Sequence, residues 1–178
     1  MVRTSNKSIG LLGGSFDPAH KGHIAISKIA IKKKKLNEVL WTVVKKNPFK
    51  SKTFYSLSNR IKIAKELTKY TKKIKVIHLD KVIGSSRSID AINYLINKKK
   101  LKNIYFIIGS DNLIKFHKWK SWKKIVKLAK LVVFSRKGYD RKGKESVVVK
   151  YLDKNKIIFV KNKPIKASST ALRKKLNN

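Results

Sequence analysis

The chain keeps changing its hydrophobic period. Short apolar runs of strand character alternate with segments whose apolar residues recur every three or four positions. Ser8–Leu12 is a first strand, stopping at Gly13 and Gly14. A helix follows from about Gly22, with Ile26, Ile29 and Ala30 on one face. The run Lys32–Lys35 closes it, where cations suit a helix C-terminus. Val39–Val44 is the second strand, and after a loop containing Pro48, Ser58 is placed to cap a helix with Ile63, Ala64, Leu67 and Tyr70 on its apolar face. Ile74–Ile77, Ile104–Ile108, Leu131–Phe134 and Ile157–Val160 supply four more strands. Ile89, Ile92 and Ile96 mark one intervening helix, and Trp122, Ile125, Val126 and Ala129 another. Residues 136–156 are ambiguous, and a last helix starts near Ser168. Strands alternating with helices predict an α/β fold with a parallel, doubly wound sheet. No repeat or linker interrupts it, so residues 1–178 are expected to form one domain.

In such a sheet, ligands bind in the crevice beyond the carboxyl ends of the strands. The residues that follow the first strand read Gly13-Gly14-Ser15-Phe16-Asp17-Pro18-Ala19-His20-Lys21-Gly22-His23. Two glycines allow a sharp turn and close approach to a ligand, and the free N–H groups of the helix that opens there favour a phosphate. His20 and His23, three residues apart, can both donate to phosphate oxygens and stabilise charge in a five-coordinate transition state. A metal site would need a third ligand nearby, so no metal is assigned to the pair. A hydrogen-bonded core pair is the plainer alternative. Neither a Walker A sequence nor G-x-G-x-x-G is present.

Near the other end, Ser168-Ser169-Thr170-Ala171-Leu172-Arg173 sets hydroxyls at a helix start and a guanidinium one turn later, within reach of a phosphate. An ordinary capped helix with an exposed Arg would read the same way.

The net charge of +37 invites a nucleic-acid reading, but of the 46 basic residues 40 are Lys and 6 are Arg. Readers of nucleic acid usually enlist Arg for bidentate contacts. The lysines are spread along the chain beside 21 Ile and 12 Asn, three residue types that share A/T-rich codons. No specific nucleic-acid partner is expected, although the charge draws in anionic substrates. No apolar run approaches the roughly 20 residues of a membrane span. Met1–Ser8 lacks the apolar middle of a signal peptide, and there is no cysteine. A cytoplasmic protein without a membrane partner is the default expectation, and a homo-oligomer stays open.

The eleven residues from Gly13 to His23 resemble the opening motif of the nucleotidyltransferases marked by [His/Thr]-x-Gly-His. Ser168–Arg173 is similar to their second mark, Ile-Ser-Ser-Thr-x-[Ile/Val]-Arg, with Ala167 and Leu172 as departures. Within that superfamily the middle of the chain resembles nicotinate-nucleotide adenylyltransferase. Gly109-Ser110-Asp111-Asn112-Leu113 with Trp119 matches its Gly-x-Asp-x-Leu…Trp segment, and Ser86–Asp90 its Ser-Tyr-Thr-x-Asp segment. Asn47-Pro48-Phe49-Lys50, Arg60, and Leu131–Arg136 with Gly138 also have counterparts. Arg87 stands for a Tyr, Ser88 for a Thr and Lys120 for an aromatic residue.

The resemblance implies adenylyl transfer from ATP to nicotinate mononucleotide, giving deamido-NAD and pyrophosphate, with Mg²⁺ carried by ATP. It implies catalytic roles for His20, His23 and Arg173, and ATP contacts from Gly13, Gly14, Ser15, Phe16, Lys50, Ser168, Ser169 and Thr170. Trp119 would stack on the pyridine ring, Ser88 receive its carboxylate, and Asp111 and Arg136 contact the substrates. Trp119 also reads as a core residue, like Trp122. Pantetheine-phosphate adenylyltransferase shares both end motifs and is the nearest enzymatic alternative. A basic nucleic-acid-binding protein on the same scaffold is the alternative from another class.

Overall fold

A computed structural model describes residues 5–47, 52–162 and 167–176. The chain runs through β1 (Ser5–Gly14), α1 (Lys21–Lys34), β2 (Glu38–Val43), α2 (Leu57–Thr68), β3 (Ile74–Ile77), α3 (Asp80–Ile83), α4 (Ser88–Asn97) and β4 (Leu101–Gly109). It continues with α5 (Ser110–Lys115), α6 (Trp122–Leu128), β5 (Lys130–Phe134), α7 (Asp140–Lys144), α8 (Val147–Tyr151), β6 (Ile157–Val160) and α9 (Ser169–Leu176). The six strands form one sheet in the order β3-β2-β1-β4-β5-β6, and every neighbouring pair is parallel. The expected α/β doubly wound architecture is the one observed.

The strands read as continuous apolar runs because both faces of the sheet are covered. Leu11, Phe106, Ile108, Leu131 and Val133 project to the face under α4, α5, α6 and α8, where they meet Ile92, Leu113, Ile125 and Val148. Ile107, Val132 and Phe134, alternating with them, belong to the opposite core with Trp41, Ala30 and Ala64, covered by α1 and α2. Gly10 is required on that second face: a Cβ there would lie 2.8 Å from Val39 Cγ2 and 2.9 Å from Leu36 Cδ1. Among the described residues no helix is long and apolar enough to cross a membrane.

Several local expectations change. The cap of α2 is Ser56, whose Oγ accepts from Asn59 N–H at 3.3 Å; Ser58 is already inside the first turn. Tyr70 follows the end of that helix and is 87% exposed, because the chain turns at Thr68–Thr71 before its side chain can reach the core. The sharp turn after the first strand is not at Gly13 and Gly14, which continue β1, but at Phe16, with φ 47°. Gly13 is instead hemmed in by Thr42, whose Oγ1 would stand 3.2 Å from a Cβ. The ambiguous stretch resolves into α7 and α8, and Val148 is the residue that anchors α8 in the core. The short helices α3 and α5 were not legible: four and six residues give no period to read.

Candidate active site

The strand order reverses between β1 and β4, since β1 leads outward to β2 and β3 while β4 leads to β5 and β6. The crevice beyond their carboxyl ends is the ligand position in such a sheet, and the first motif lies there.

His20 caps α1. Its Nδ1 accepts from Gly22 N–H at 3.1 Å, and His23 Nδ1 accepts in return from His20 N–H at 3.2 Å. This is a capping box built from two imidazoles, an arrangement more often made by Ser or Thr with Glu. The chemical consequence is tautomeric. A ring whose Nδ1 accepts carries its proton on Nε2, so each neutral imidazole has an Nε2–H donor on its far side. His20 is 8% exposed, and burial, aided by the charge of Arg136, lowers its pKa to about 4. It therefore remains neutral across the physiological range. The two rings lie 3.9 Å apart between centroids. Phe16 packs on His23 at 4.8 Å and stacks on Trp41 at 5.0 Å, and the indole of Trp41 donates to Ser27 Oγ at 2.8 Å. The Phe16 ring is a buried wall behind the histidines.

The second motif is fastened onto the first across 150 residues of sequence. Ser168 Oγ accepts from Ala171 N–H at 3.1 Å and so caps α9. Ser169 Oγ donates to the Pro18 carbonyl at 2.9 Å. Arg173 donates to the Asp17 carbonyl and lies 3.7 Å from the Asp17 carboxylate. Its Nη2 also donates to Thr170 Oγ1 at 3.2 Å. Asp17, 3% exposed, accepts from the N–H groups of Phe54 and Tyr55 at 2.8 and 2.9 Å. Ser15 is buried, and among the described residues its hydroxyl has no hydrogen-bond partner.

Arg60 is a structural determinant that motif reading undervalued. It is 1% exposed and donates to the carbonyls of Ser15 at 2.7 Å, Val44 at 2.8 Å, Tyr55 at 3.2 Å and Lys45 at 3.3 Å. One guanidinium thus ties the loops after β1 and β2 to the start of α2. Burial lowers its pKa, and Asp17 and Asp80 oppose that shift. The signal available in the sequence was a lone Arg among the apolar positions of a helix. Lys50, with Pro48 and Phe49, lies outside the described residues.

Beyond β4 and β5 the surface is more open. Asp111 lies in the first turn of α5, and its Oδ1 lies 3.4 Å from Arg136 Nε. Both side chains cross Gly109, where an added Cβ would sit 2.3 Å from Asp111 Oδ1 and 3.1 Å from Arg136 Nε. Trp119 is half-buried, 5.0 Å from Phe116 and edge-on to Phe106 at 6.0 Å, so it serves the core. Ser88 begins α4 and, with Leu11, Thr42, Ser86 and Phe106, lines a narrow cavity of about 10 Å³. Arg87 faces solvent. Asp80 anchors the segment before α4, accepting from Lys45 N–H at 2.6 Å and from Ser86 Oγ.

The cytidylyltransferase-like family model matches residues 11–175. A probable nicotinate-nucleotide adenylyltransferase of Pelagibacter ubique is 48% identical over 166 residues, spanning 93% of this chain and 92% of that protein. This chain belongs to the nicotinate-nucleotide adenylyltransferase family. A probable member from Aquifex aeolicus is 34% identical over 90% of this chain and 98% of its own length. Among solved structures, the nicotinic acid mononucleotide adenylyltransferase of Plasmodium falciparum, complexed with NaAD, superposes with a TM-score of 0.74. It covers 95% of this chain and 83% of its own at 17% identity, a likeness of fold. The family match thus spans nearly the whole chain, from β1 into α9.

Proposed function

We propose that the protein transfers the adenylyl group of ATP to nicotinate mononucleotide. A phosphate oxygen of the mononucleotide attacks the α-phosphorus of ATP. The bond to the bridging oxygen breaks, and deamido-NAD and pyrophosphate leave. The observation that carries this reading is the imidazole capping box at the switch point of a chain from this family. Two Nε2–H donors, held at the helix N-terminus whose dipole favours an anion, suit the charge that builds on the phosphoryl oxygens. Since no group needs to form a bond to phosphorus, catalysis rests on positioning and charge stabilisation.

On this reading His20, His23 and Arg173 act at the transferring phosphate. Gly13, Gly14, Ser15, Lys50, Ser168, Ser169 and Thr170 form the ATP surround. Ser88, Asp111, Trp119 and Arg136 belong to the acceptor side. Support for the ATP side includes the buried hydroxyl of Ser15, unpartnered among the described residues, and the α9 start docked on Asp17 and Pro18. Mg²⁺ is expected on the triphosphate, since magnesium commonly takes substrate oxygens as ligands, and there it neutralises charge. An aromatic face suits a pyridinium ring, and the half-buried Trp119 offers one. A carboxylate only accepts hydrogen bonds, so the Ser88 hydroxyl and the nearby backbone N–H groups favour it over a carboxamide.

Pyrophosphate release with ATP and three acceptors tests the reading. Nicotinate mononucleotide should exceed nicotinamide mononucleotide by at least about tenfold in kcat/KM, which needs about 1.4 kcal/mol of differential binding. A preference for phosphopantetheine would overturn the acceptor. Polyanion binding with no pyrophosphate formed would overturn the reaction.

A further inference from the structure

The carboxylate of Asp140 is the hub of a hydrogen-bond cluster that no catalytic role accounts for. Its Oδ1 accepts from Ser110 Oγ at 2.7 Å and from Arg136 N–H at 2.9 Å, and its Oδ2 accepts from Ser135 Oγ. Arg136 N–H is also 3.0 Å from Ser110 Oγ. Ser110 is the first residue after β4, and Ser135 and Arg136 are the first two after β5. A single side chain on α7 therefore ties together the ends of two adjacent strands. The hydrogen bond from Ser135, more than any other contact, holds the Asp140 carboxyl below the usual range, so it is an acceptor at any working pH. Ser110 is 1% exposed, and Gly143 of α7 packs so closely on it that a Cβ would lie 3.3 Å from the Ser110 backbone carbonyl oxygen. The register of α7 against α5 is accordingly tight.

What this cluster holds is Arg136. We propose that Asp140 is a positioning residue: it fixes the backbone after β5 so that the Arg136 guanidinium lies across Gly109, beside Asp111, facing the substrate cleft. The inference rests on the reading that Arg136 contacts a substrate. The Arg136 side chain is 53% exposed, with Asp111 Oδ1 at 3.4 Å as its ion-pair partner, so a long flexible side chain would wander if its backbone did too. Its charge is also felt at His20, which gives the arrangement a spectroscopic signature.

The test compares Asp140→Ala, Arg136→Ala and the double variant in pyrophosphate release, with NMR titration of the His20 imidazole. Asp140→Ala should lose on the order of tenfold in kcat/KM, chiefly through KM. The double variant should be no worse than Arg136→Ala, since both remove one function. The His20 titration should move upward in both single variants. Glu145→Gln, which breaks the exposed pair between Glu145 and Arg141 on the same stretch, should change none of these readings. If Arg136→Ala leaves the kinetics intact, the substrate reading of Arg136 fails and the proposal with it. If Arg136→Ala is impaired while Asp140→Ala matches wild type, the substrate reading stands and the positioning role alone is overturned. Additive losses in the double variant, or an unmoved His20 titration in Asp140→Ala, also overturn it. Should Asp140→Ala fail to fold, Ser135→Ala decides: a several-fold rise in KM supports the role, and unchanged KM ends it.

Discussion

The two sides of the cleft are built differently. On the β1–β2 side the polar groups are sealed. Asp17, His20 and Arg60 are 3%, 8% and 1% exposed, and each engages backbone atoms from other segments or from the turn it caps. On the β4–β5 side Asp140 and the buried Ser110 hold the backbone, but the Asp111 and Arg136 side chains are 28% and 53% exposed and pair with each other. Burial makes a polar network rigid and costly to disturb, because any group left unpaired keeps its full desolvation penalty. The sealed side suits a task in which donors must be in place before charge develops. The open side suits recognition of a substrate that brings its own charge and shape. On the proposed assignment of residues, phosphoryl chemistry and acceptor choice draw on different physical resources within one crevice.

If that contrast is real, Arg60→Met should produce the largest loss of stability. Methionine fills much of the volume but strands the carbonyls of Ser15, Val44, Lys45 and Tyr55, so about 3–5 kcal/mol should disappear from urea unfolding. A loss within about 0.5 kcal/mol, the size seen for ordinary surface substitutions, would show the buried side to be no stiffer than the open one.

His23→Ala should come next, lowering turnover by about 10²–10³-fold, or about 2.7–4 kcal/mol, while far-UV circular dichroism stays native. Wild-type turnover in a folded variant would remove the transition-state role.

Arg173→Ala then sharpens the boundary between specific and diffuse charge. Losing a charge-assisted contact should weaken ATP use by roughly 1.5–3 kcal/mol in kcat/KM, whereas Lys174→Ala, exposed on a neighbouring helix face, should do little. Equal effects would mean that net charge alone is at work.

The smallest perturbation is a single proton. In the folded chain His20 protonates near pH 4, whereas in the unfolded chain its pKa is that of free imidazole, 6.5. As pH falls below 6.5 the unfolded chain takes up the proton first. Stability that is full above pH 6.5 therefore drains away down to about pH 4, by at most about 1.4 kcal/mol per pH unit. His20→Asn keeps a good cap but cannot titrate, so its urea midpoint should fall less between pH 7 and 5.5 than that of the wild type. Parallel slopes in the two proteins would disprove the assignment.

Much of this molecule was written locally. Period changes along the chain are enough to locate six strands, because a strand buried on both faces must be a continuous apolar run. The two end motifs also declare themselves, since a cap and a phosphate-facing helix start require particular residues at short, fixed spacing. What could not be read was anything decided by packing between distant segments. Trp119 offered itself as a ligand face with the core as its alternative, and its contacts with Phe106 and Phe116 show how far it also serves the core. Nothing in the local spacing placed the Phe16 ring behind His23, where the turn at its own position sends it inward onto Trp41. Arg60 gave no hint that four carbonyls from separate loops converge on it, and Asp140 none that two strand ends would meet at one carboxylate. Local spacing can specify a cap or a period because those depend on neighbours along the chain. A hub exists only once the sheet has brought its strand ends side by side, and which residue occupies it is decided by the fold.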